Sequence, residues 1–250
     1  ASRTVPFVSK ALGIQLARAA ALVMTGSSVD ELVESGVLPA LDGRHVPANS
    51  PISVKEAVLP FKRFRTPSGD IVDSILGPEM RSTGEVMGIA SSFPKAFAKS
   101  QDAAYGGLPR SGTVFVSVAD RDKRSVILPM LRLSQLGFRL IATEGTAETL
   151  ARYGITAEVV RKHTDVSGEG EGPSIVDLIH AGEIDIVINT PRGRSARADG
   201  YEIRTATVAA DKALFTTIAQ VGAAVASLEE RPEHPEVKSL QDYAAERITA

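Results

Sequence analysis

The sequence predicts an α/β fold, with a parallel β-sheet between helices in its C-terminal half and a mixed α+β part before it. Three observations carry this. From Thr113 onward, short runs rich in Val and Ile alternate with amphipathic helical patterns, and parallel strands need such crossover connections. Before that point, helical and strand-like spacings follow one another without regular alternation. Tyr105-Gly106-Gly107-Leu108-Pro109-Arg110-Ser111-Gly112 separates the two, because Gly and Pro interrupt helix and strand alike, and the expected domains are 1–107 and 108–250.

Taken in order, Val8, Ala11, Leu12, Leu16, Ala19, Ala20 and Val23 recur at helical spacing, so one core-facing helix is expected to about Thr25, stopped by Gly26. Ser28-Val29-Asp30-Glu31 has the form of a capping box opening a short helix, which Gly36 closes before a Pro- and Gly-rich stretch. Residues 52–61 alternate as a strand, with Val54, Ala57 and Leu59 among its apolar members. A polar, glycine-punctuated run over 76–88 ends in a short strand, and Ser92 is expected to cap a helix reaching about Ala104. In the second half strands are expected at 113–118, 138–142, 155–160 and 184–188, with helices at 122–136, 147–153 and 174–181 between them. Residues 203–208 read as a further strand and 211–228 as a final helix, followed by a solvated, charged stretch at 229–235. Such a series makes a small Rossmann-like sandwich.

A chain of 250 residues with 43% hydrophobic content can bury a sizeable core in one or two domains. A net charge of -2 provides no basic field to follow a phosphate backbone, so nucleic acid is not an expected partner. The absence of Cys excludes disulfides, thiolate metal sites and a cysteine nucleophile, and His45, His163, His180 and His234 lack ligand spacing, so no metal site is expected. The longest apolar stretch, 16–24, carries Arg18 and is far too short to span a bilayer. The expectation is a soluble, cytoplasmic protein without a membrane partner. The opening residues 1–7 lack an initiator Met and enter apolar sequence at once, as in a piece of a longer chain.

In open α/β sheets ligands bind outside the carboxyl ends of the strands, which directs attention to three loops. They are Ser117-Val118-Ala119-Asp120-Arg121-Asp122-Lys123, Thr143-Glu144-Gly145-Thr146 and Asn189-Thr190-Pro191-Arg192-Gly193-Arg194. The Thr143 turn offers two hydroxyls, a glycine for close approach and helix N-terminal amides to an anion. An ordinary helix cap accounts for that turn as well, a solvated charge for Lys123 or Lys162, and a strand-end turn for Asn189-Thr190. Meeting at one rim, the set favours phosphate. Asp185 beside Glu183 reads as exposed charge, and His163 lies with Thr164 and Asp165 in a glycine-rich loop, so no catalytic constellation stands out. In the first half Arg3, Glu79, Arg81 and Glu85 are residue types that phosphoryl chemistry uses, although structural ion pairs account for them equally. Glu56, inside an apolar strand, reads as solvent-facing.

Three strings carry a resemblance: Ser2-Arg3-Thr4-Val5-Pro6-Phe7-Val8-Ser9-Lys10-Ala11, Ser53-Val54-Lys55-Glu56-Ala57-Val58-Leu59-Pro60-Phe61, and Leu76-Gly77-Pro78-Glu79-Met80-Arg81-Ser82-Thr83-Gly84-Glu85-Val86-Met87-Gly88. They closely resemble the end of the second ATP-grasp unit of carbamoyl-phosphate synthase large chains, and the remainder resembles that family's methylglyoxal synthase-like C-terminal domain. The resemblance implies that 1–107 is the C-terminal part of the carbamoyl-phosphate (second) ATP-grasp unit and 108–250 a methylglyoxal synthase-like allosteric domain. It implies a parent ligase that makes carbamoyl phosphate from ATP, bicarbonate and glutamine-derived ammonia for arginine and pyrimidine synthesis. Such a parent uses ATP with Mg or Mn, pairs with a glutaminase small subunit and forms homo-oligomers. The family's metal-holding Glu-x-Asn-Pro-Arg string would stand immediately before Ala1. The fragment by itself is therefore expected neither to hold ATP or metal nor to be catalytic, and Arg3 is the one catalytic position carried over.

For regulation the resemblance implies a nucleotide monophosphate effector, UMP or IMP, at Ser117, Lys123, Thr143, Thr146, Lys162, Asn189 and Thr190, and ornithine at Glu56 and Thr216. The nucleotide positions coincide with the rim reached from the strand ends. Pro191 stands where the family often has Thr, and the loop 165–173 is longer and richer in glycine than the family pattern. Two other functions stay open at this point: an interaction or oligomerisation module with a vestigial phosphate site, and a methylglyoxal synthase-like lyase. Such lyases carry a Gly-Gly-Asp-Gln-Gln type string that has no counterpart around 167–173.

Overall fold

A computed structural model describes residues 3–40, 50–58, 69, 84–160, 172–190, 200–230 and 236–248. It opens with α1 (Thr4–Leu12), α2 (Leu16–Met24) and α3 (Val29–Glu34). The single helix expected over 8–25 is thus two helices, bent by 116°. Gly13 makes the corner: it takes the left-handed φ of +71°, and its amide returns to Ser9 O. Apolar spacing runs on through the corner and cannot reveal it. A long-range contact holds it, because a Cβ at Gly13 would lie 2.7 Å from Ala244 Cβ. The expected capping box on α3 is present, with Glu31 N donating to Ser28 Oγ at 3.2 Å and Ser28 N to Glu31 Oε2 at 2.9 Å.

Strand β1 (Ile52–Val58) pairs antiparallel with β2 (Gly84–Ala90), in the register Ile52↔Ala90 to Val58↔Gly84. Helix α4 (Phe93–Tyr105) lies over this hairpin so closely that a Cβ at Gly88 would run into the Ala96 carbonyl and sit 2.7 Å from Ser100 N. Ser92 does precede the helix, but its hydroxyl does not cap it. It donates instead to Glu230 Oε2 at 2.8 Å, far along the chain.

The second half runs β3 (Thr113–Ser117), α5 (Lys123–Gln135), β4 (Arg139–Ala142), α6 (Glu144–Ala151), β5 (Glu158–Val159), α7 (Ile175–His180) and β6 (Ile186–Asn189). It continues with α8 (Tyr201–Ala209), β7 (Ala213–Phe215), α9 (Ile218–Glu230) and α10 (Leu240–Ile248). Among the described residues the strands form a five-stranded sheet in the order β5-β4-β3-β6-β7, with every neighbouring pair parallel. This is the Rossmann-like α/β sheet that the strand–helix alternation predicts.

The strand expected over 203–208 is instead the helix α8, and the strand falls later, at β7 inside the segment expected to be helical. Residues 203–208 alternate in polarity, yet the buried set Ile203, Arg204, Ala206 and Thr207 is a helical face. A parallel β7 beside β6 requires a crossover, and α8 supplies it. Two charges also depart from expectation. Asp185 is not simply exposed: it accepts from Thr113 N at 2.9 Å and pairs with Lys212 Nζ at 3.1 Å. Glu56 is half-buried and accepts from Gln101 Nε2 at 3.0 Å.

Two apolar layers flank the sheet. One holds Val114, Val116, Met130, Leu133, Leu150 and Val221; the other holds Phe115, Ile141, Ile175, Ile179, Val187 and Ile203. Phe97 of α4 and Leu108 belong to the first layer, so the hairpin unit is joined to the parallel sheet through α4 and α9. No single helix among the described residues is long and apolar enough to cross a membrane; α1 and α2 reach that length together only across their bend. Glu79, Arg81, Lys162, His163, Thr164, Asp165, Pro191, Arg192 and Arg194 lie outside the described residues.

Candidate anion-binding rim

Parallel pairing brings three strand ends to one edge. Val116 of β3 stands beside Ala142 of β4 and Ser117 beside Asn189 of β6, so the loops after these strands leave side by side. The order β4-β3-β6 follows from the crossovers, and no local signal in the sequence specifies it.

At that edge Thr143 Oγ1 lies 3.3 Å from Ser117 Oγ and 3.3 Å from Thr146 Oγ1. Hydroxyl pairs prefer about 2.7–2.8 Å, so these are loose contacts, and one hydroxyl hydrogen serves at most one of them. Thr143 holds the N-cap position of α6, but its side chain makes no capping bond among the described residues. Helix α6 begins at Glu144, three residues before the start expected from the sequence. Gly145 and Thr146 are already helical, and the hydroxyls of Thr143 and Thr146 face each other across the first turn. Both residues are buried, whereas Glu144 between them is exposed.

Lys123 opens α5, and its Nζ pairs with Asp120 Oδ1 at 2.9 Å. A Cβ on Gly145 would stand 3.3 Å from that ammonium, which places the charge directly over the first turn of α6. Thr190 braces the edge: its Oγ1 accepts from Ala119 N at 2.9 Å, and its own amide donates to Ser117 O at 3.2 Å. Asn189 Nδ2 reaches Ser117 O at 3.5 Å. Ser117, Lys123, Thr143, Thr146, Asn189 and Thr190 therefore converge, and Lys162 lies outside the described residues.

One side chain at this edge escapes a sequence reading. Arg204 of α8 is fully buried, and its guanidinium donates to Asn189 Oδ1 at 2.9 Å. Read as part of a strand it alternates outward. Helical spacing from Tyr201 would have turned it inward with Ile203 and Thr207.

The other candidates lie apart. Arg3 precedes the first turn of α1, with its carbonyl accepting from Phe7 N at 3.3 Å. Glu56 sits on β1 against α4, and Thr216 follows β7 with its amide on Gln220 Oε1 at 3.3 Å. Burial raises the Glu56 carboxyl above its ordinary range, and the Gln101 hydrogen bond partly offsets this. Tyr105 is half open to solvent, but its hydroxyl turns in to donate to Ala57 O at 2.8 Å. Burial of that end, with the Glu56 charge nearby, pushes the phenol up to about 12. Glu85, an acid of the first half, pairs with Lys55 at 3.0 Å across the hairpin, as a structural ion pair would.

Fold and edge together define a class. The family model described as MGS-like domain matches residues 126–216, from α5 to the residue after β7. Over 247 residues, 99% of its length, the chain is 70% identical to the carbamoyl phosphate synthase large chain of Clavibacter michiganensis subsp. michiganensis, covering 22% of that protein. It is 60% identical over 248 residues to the large chain of Beutenbergia cavernae and 54% identical over 247 residues to that of Micrococcus luteus, again spanning 22% of each. The chain belongs to the carbamoyl phosphate synthase large chain family, matching a C-terminal part that makes up about a fifth of its relatives' length.

Proposed function

We propose that this segment is the allosteric part of a glutamine-hydrolysing carbamoyl phosphate synthase large chain, and that its strand-end rim holds the phosphate of a nucleotide monophosphate, UMP or IMP. The observation that carries this reading is the hydroxyl set at the sheet edge, Thr143 and Thr146 buried and Ser117 partly so, whose mutual contacts among the described residues are loose, at 3.3 Å. An anion would take those hydroxyls together with the first-turn amides of α6 and the Lys123 charge. Lys162 enters the set through the family resemblance.

Ornithine is the proposed second effector, at Glu56 and Thr216. A cation beside the Glu56 carboxyl would offset the burial that now disfavours its charge. Because α4 touches both the hairpin and α9, binding at either place could bias how the 1–107 and 108–250 parts rest on each other. The catalytic reading extends to Arg3, near the transferred phosphate in the whole enzyme. ATP and Mg or Mn belong to that whole enzyme; among the described residues no group of three or more His, Asp or Glu could hold a metal ion. No step of turnover is assigned to the segment itself. The glutaminase small subunit, homo-oligomer formation and a cytoplasmic setting are part of the same proposal.

Calorimetric titration of UMP, IMP, inorganic phosphate and ornithine into the chain and its Thr143→Ala variant tests it. Saturable nucleotide binding weakened about tenfold or more by Thr143→Ala, the loss of one anion-bound hydroxyl, is the expected result. No nucleotide binding by the folded chain would favour an interaction module with a vestigial phosphate site.

A further inference from the structure

We propose that Arg204 is a positioning residue that sets the orientation of the Asn189 amide, so that its NH2 end is presented at the strand-end rim as a donor to a phosphate monoester. The inference rests on the rim reading above in its ligand, but not in its geometry.

A primary amide has an acceptor end and a donor end of nearly the same shape, and without a partner either can face a ligand. Arg204 removes that freedom. A guanidinium carries only donors and remains charged, so the atom facing it at 2.9 Å is the Asn189 oxygen. The nitrogen then turns toward β3, where one N–H reaches the Ser117 carbonyl at 3.5 Å. That carbonyl belongs to Ser117, whose hydroxyl is a member of the set, so the NH2 end is the end of the amide nearer the rim. An amide turned the other way would oppose donor to donor at Arg204 and acceptor to acceptor at Ser117.

Three features show that this contact is built in. Arg204 is wholly buried and Asn189 is 5% exposed, so the bond is shielded from competing water. Arg204 stands on α8, whose register is fixed by Ile203 and Ala206 in the second apolar layer. Gly200, at φ +84°, closes over the pair: a Cβ there would lie 2.6 Å from Asn189 Oδ1 and 3.0 Å from Arg204 Nη1. The arrangement delivers an oriented donor to an anion from a residue that itself lies behind the rim.

The decisive variant is Asn189→Asp. The carboxylate keeps the shape and the oxygen that faces Arg204, with a stronger charge-assisted bond, but replaces the whole NH2 end by an acceptor, including the N–H on the Ser117 carbonyl. The stronger bond to Arg204 and the acceptor set against the Ser117 carbonyl shift the thermal midpoint in opposite directions, so it should move little, while binding of UMP, IMP or inorganic phosphate falls by about tenfold or more, as expected when one donor is lost and a like charge added. Arg204→Met and Asn189→Ala, in single and double combination, supply the coupling: each weakens binding, and the double variant is no weaker than the worse single. Additive losses, or unchanged binding in Arg204→Met, would overturn the positioning role. Thermal midpoints of Arg204→Met, Asn189→Ala and the double variant that simply add overturn the Arg204–Asn189 contact whether or not any ligand binds. If the wild-type chain binds none of the three probes while those midpoints stay coupled, the rim reading and the donor role fail together, and only the Arg204–Asn189 contact survives.

Discussion

The N-terminal helices are at least as apolar in sequence as the parallel-sheet half but use their apolar residues differently. In β3, Val114, Phe115 and Val116 are fully buried, and every residue of β6 is buried between two layers. In α1, α2 and α3 the described buried residues are Ala11, Ala19 and Leu32, whereas Leu12, Val23, Val29 and Met24 are exposed, Met24 by 88%. A strand inside a doubly covered sheet meets apolar neighbours on both faces, while these helices meet them on one. Cooperative stability, and the rigidity that an oriented site needs, should therefore reside in the parallel half.

The largest test of that contrast is Phe115→Ala against Met24→Ala. Emptying the buried ring site should cost about 3–5 kcal/mol, and truncating Met24 should stay within about 0.5 kcal/mol. Denaturant midpoints of the two variants check this, and comparable losses would remove the contrast.

Gly88→Ala comes next, because it probes the joint between the halves. A methyl group driven against the Ala96 carbonyl and the Ser100 amide must push α4 off the hairpin, at about 1–3 kcal/mol. Hydrogen exchange should quicken in β1, β2 and α4 and stay slow in β3 and β6. Uniform quickening would mean that the two parts open as one unit.

The smallest effect is a pH dependence at Glu56. Its carboxyl is raised by burial in the fold, so the folded chain holds the proton more tightly than the unfolded one. The resulting cost to stability is absent below the unfolded value of about 4.3 and grows as pH rises through the raised value. Glu56→Gln keeps an oxygen for Gln101 and should lift the thermal midpoint at pH 7, with no difference below about pH 4. A midpoint lowered at pH 7 would indicate a carboxylate that the fold favours in its charged form.

Much of the parallel half is legible in the chain. Val114 to Val116, Leu140 to Ala142 and Ile186 to Ile188 are short, continuous apolar runs bounded by turn residues, and the polar residues after each one mark the edge where the site candidates meet. The hairpin strands and the Ser28 capping box are equally local. Legibility fails wherever a partner distant in sequence decides. Ser92 looks like a cap, but Glu230 takes its hydroxyl. Asp185 looks like surface charge, but the start of β3 and Lys212 hold it. Residues 203–208 alternate like a strand, yet they fold as a crossover helix because β7 must run parallel to β6.

By itself, then, the sequence determined the strand–helix alternation, the polar strand-end loops and the family, since spacing and residue type are properties of neighbouring positions. The tertiary structure decided which strand ends lie side by side, that Gly13 turns a corner under Ala244, and that Arg204 faces Asn189. Each of these depends on segments distant in sequence, and the free energy that selects them does not exist until burial has brought those segments together.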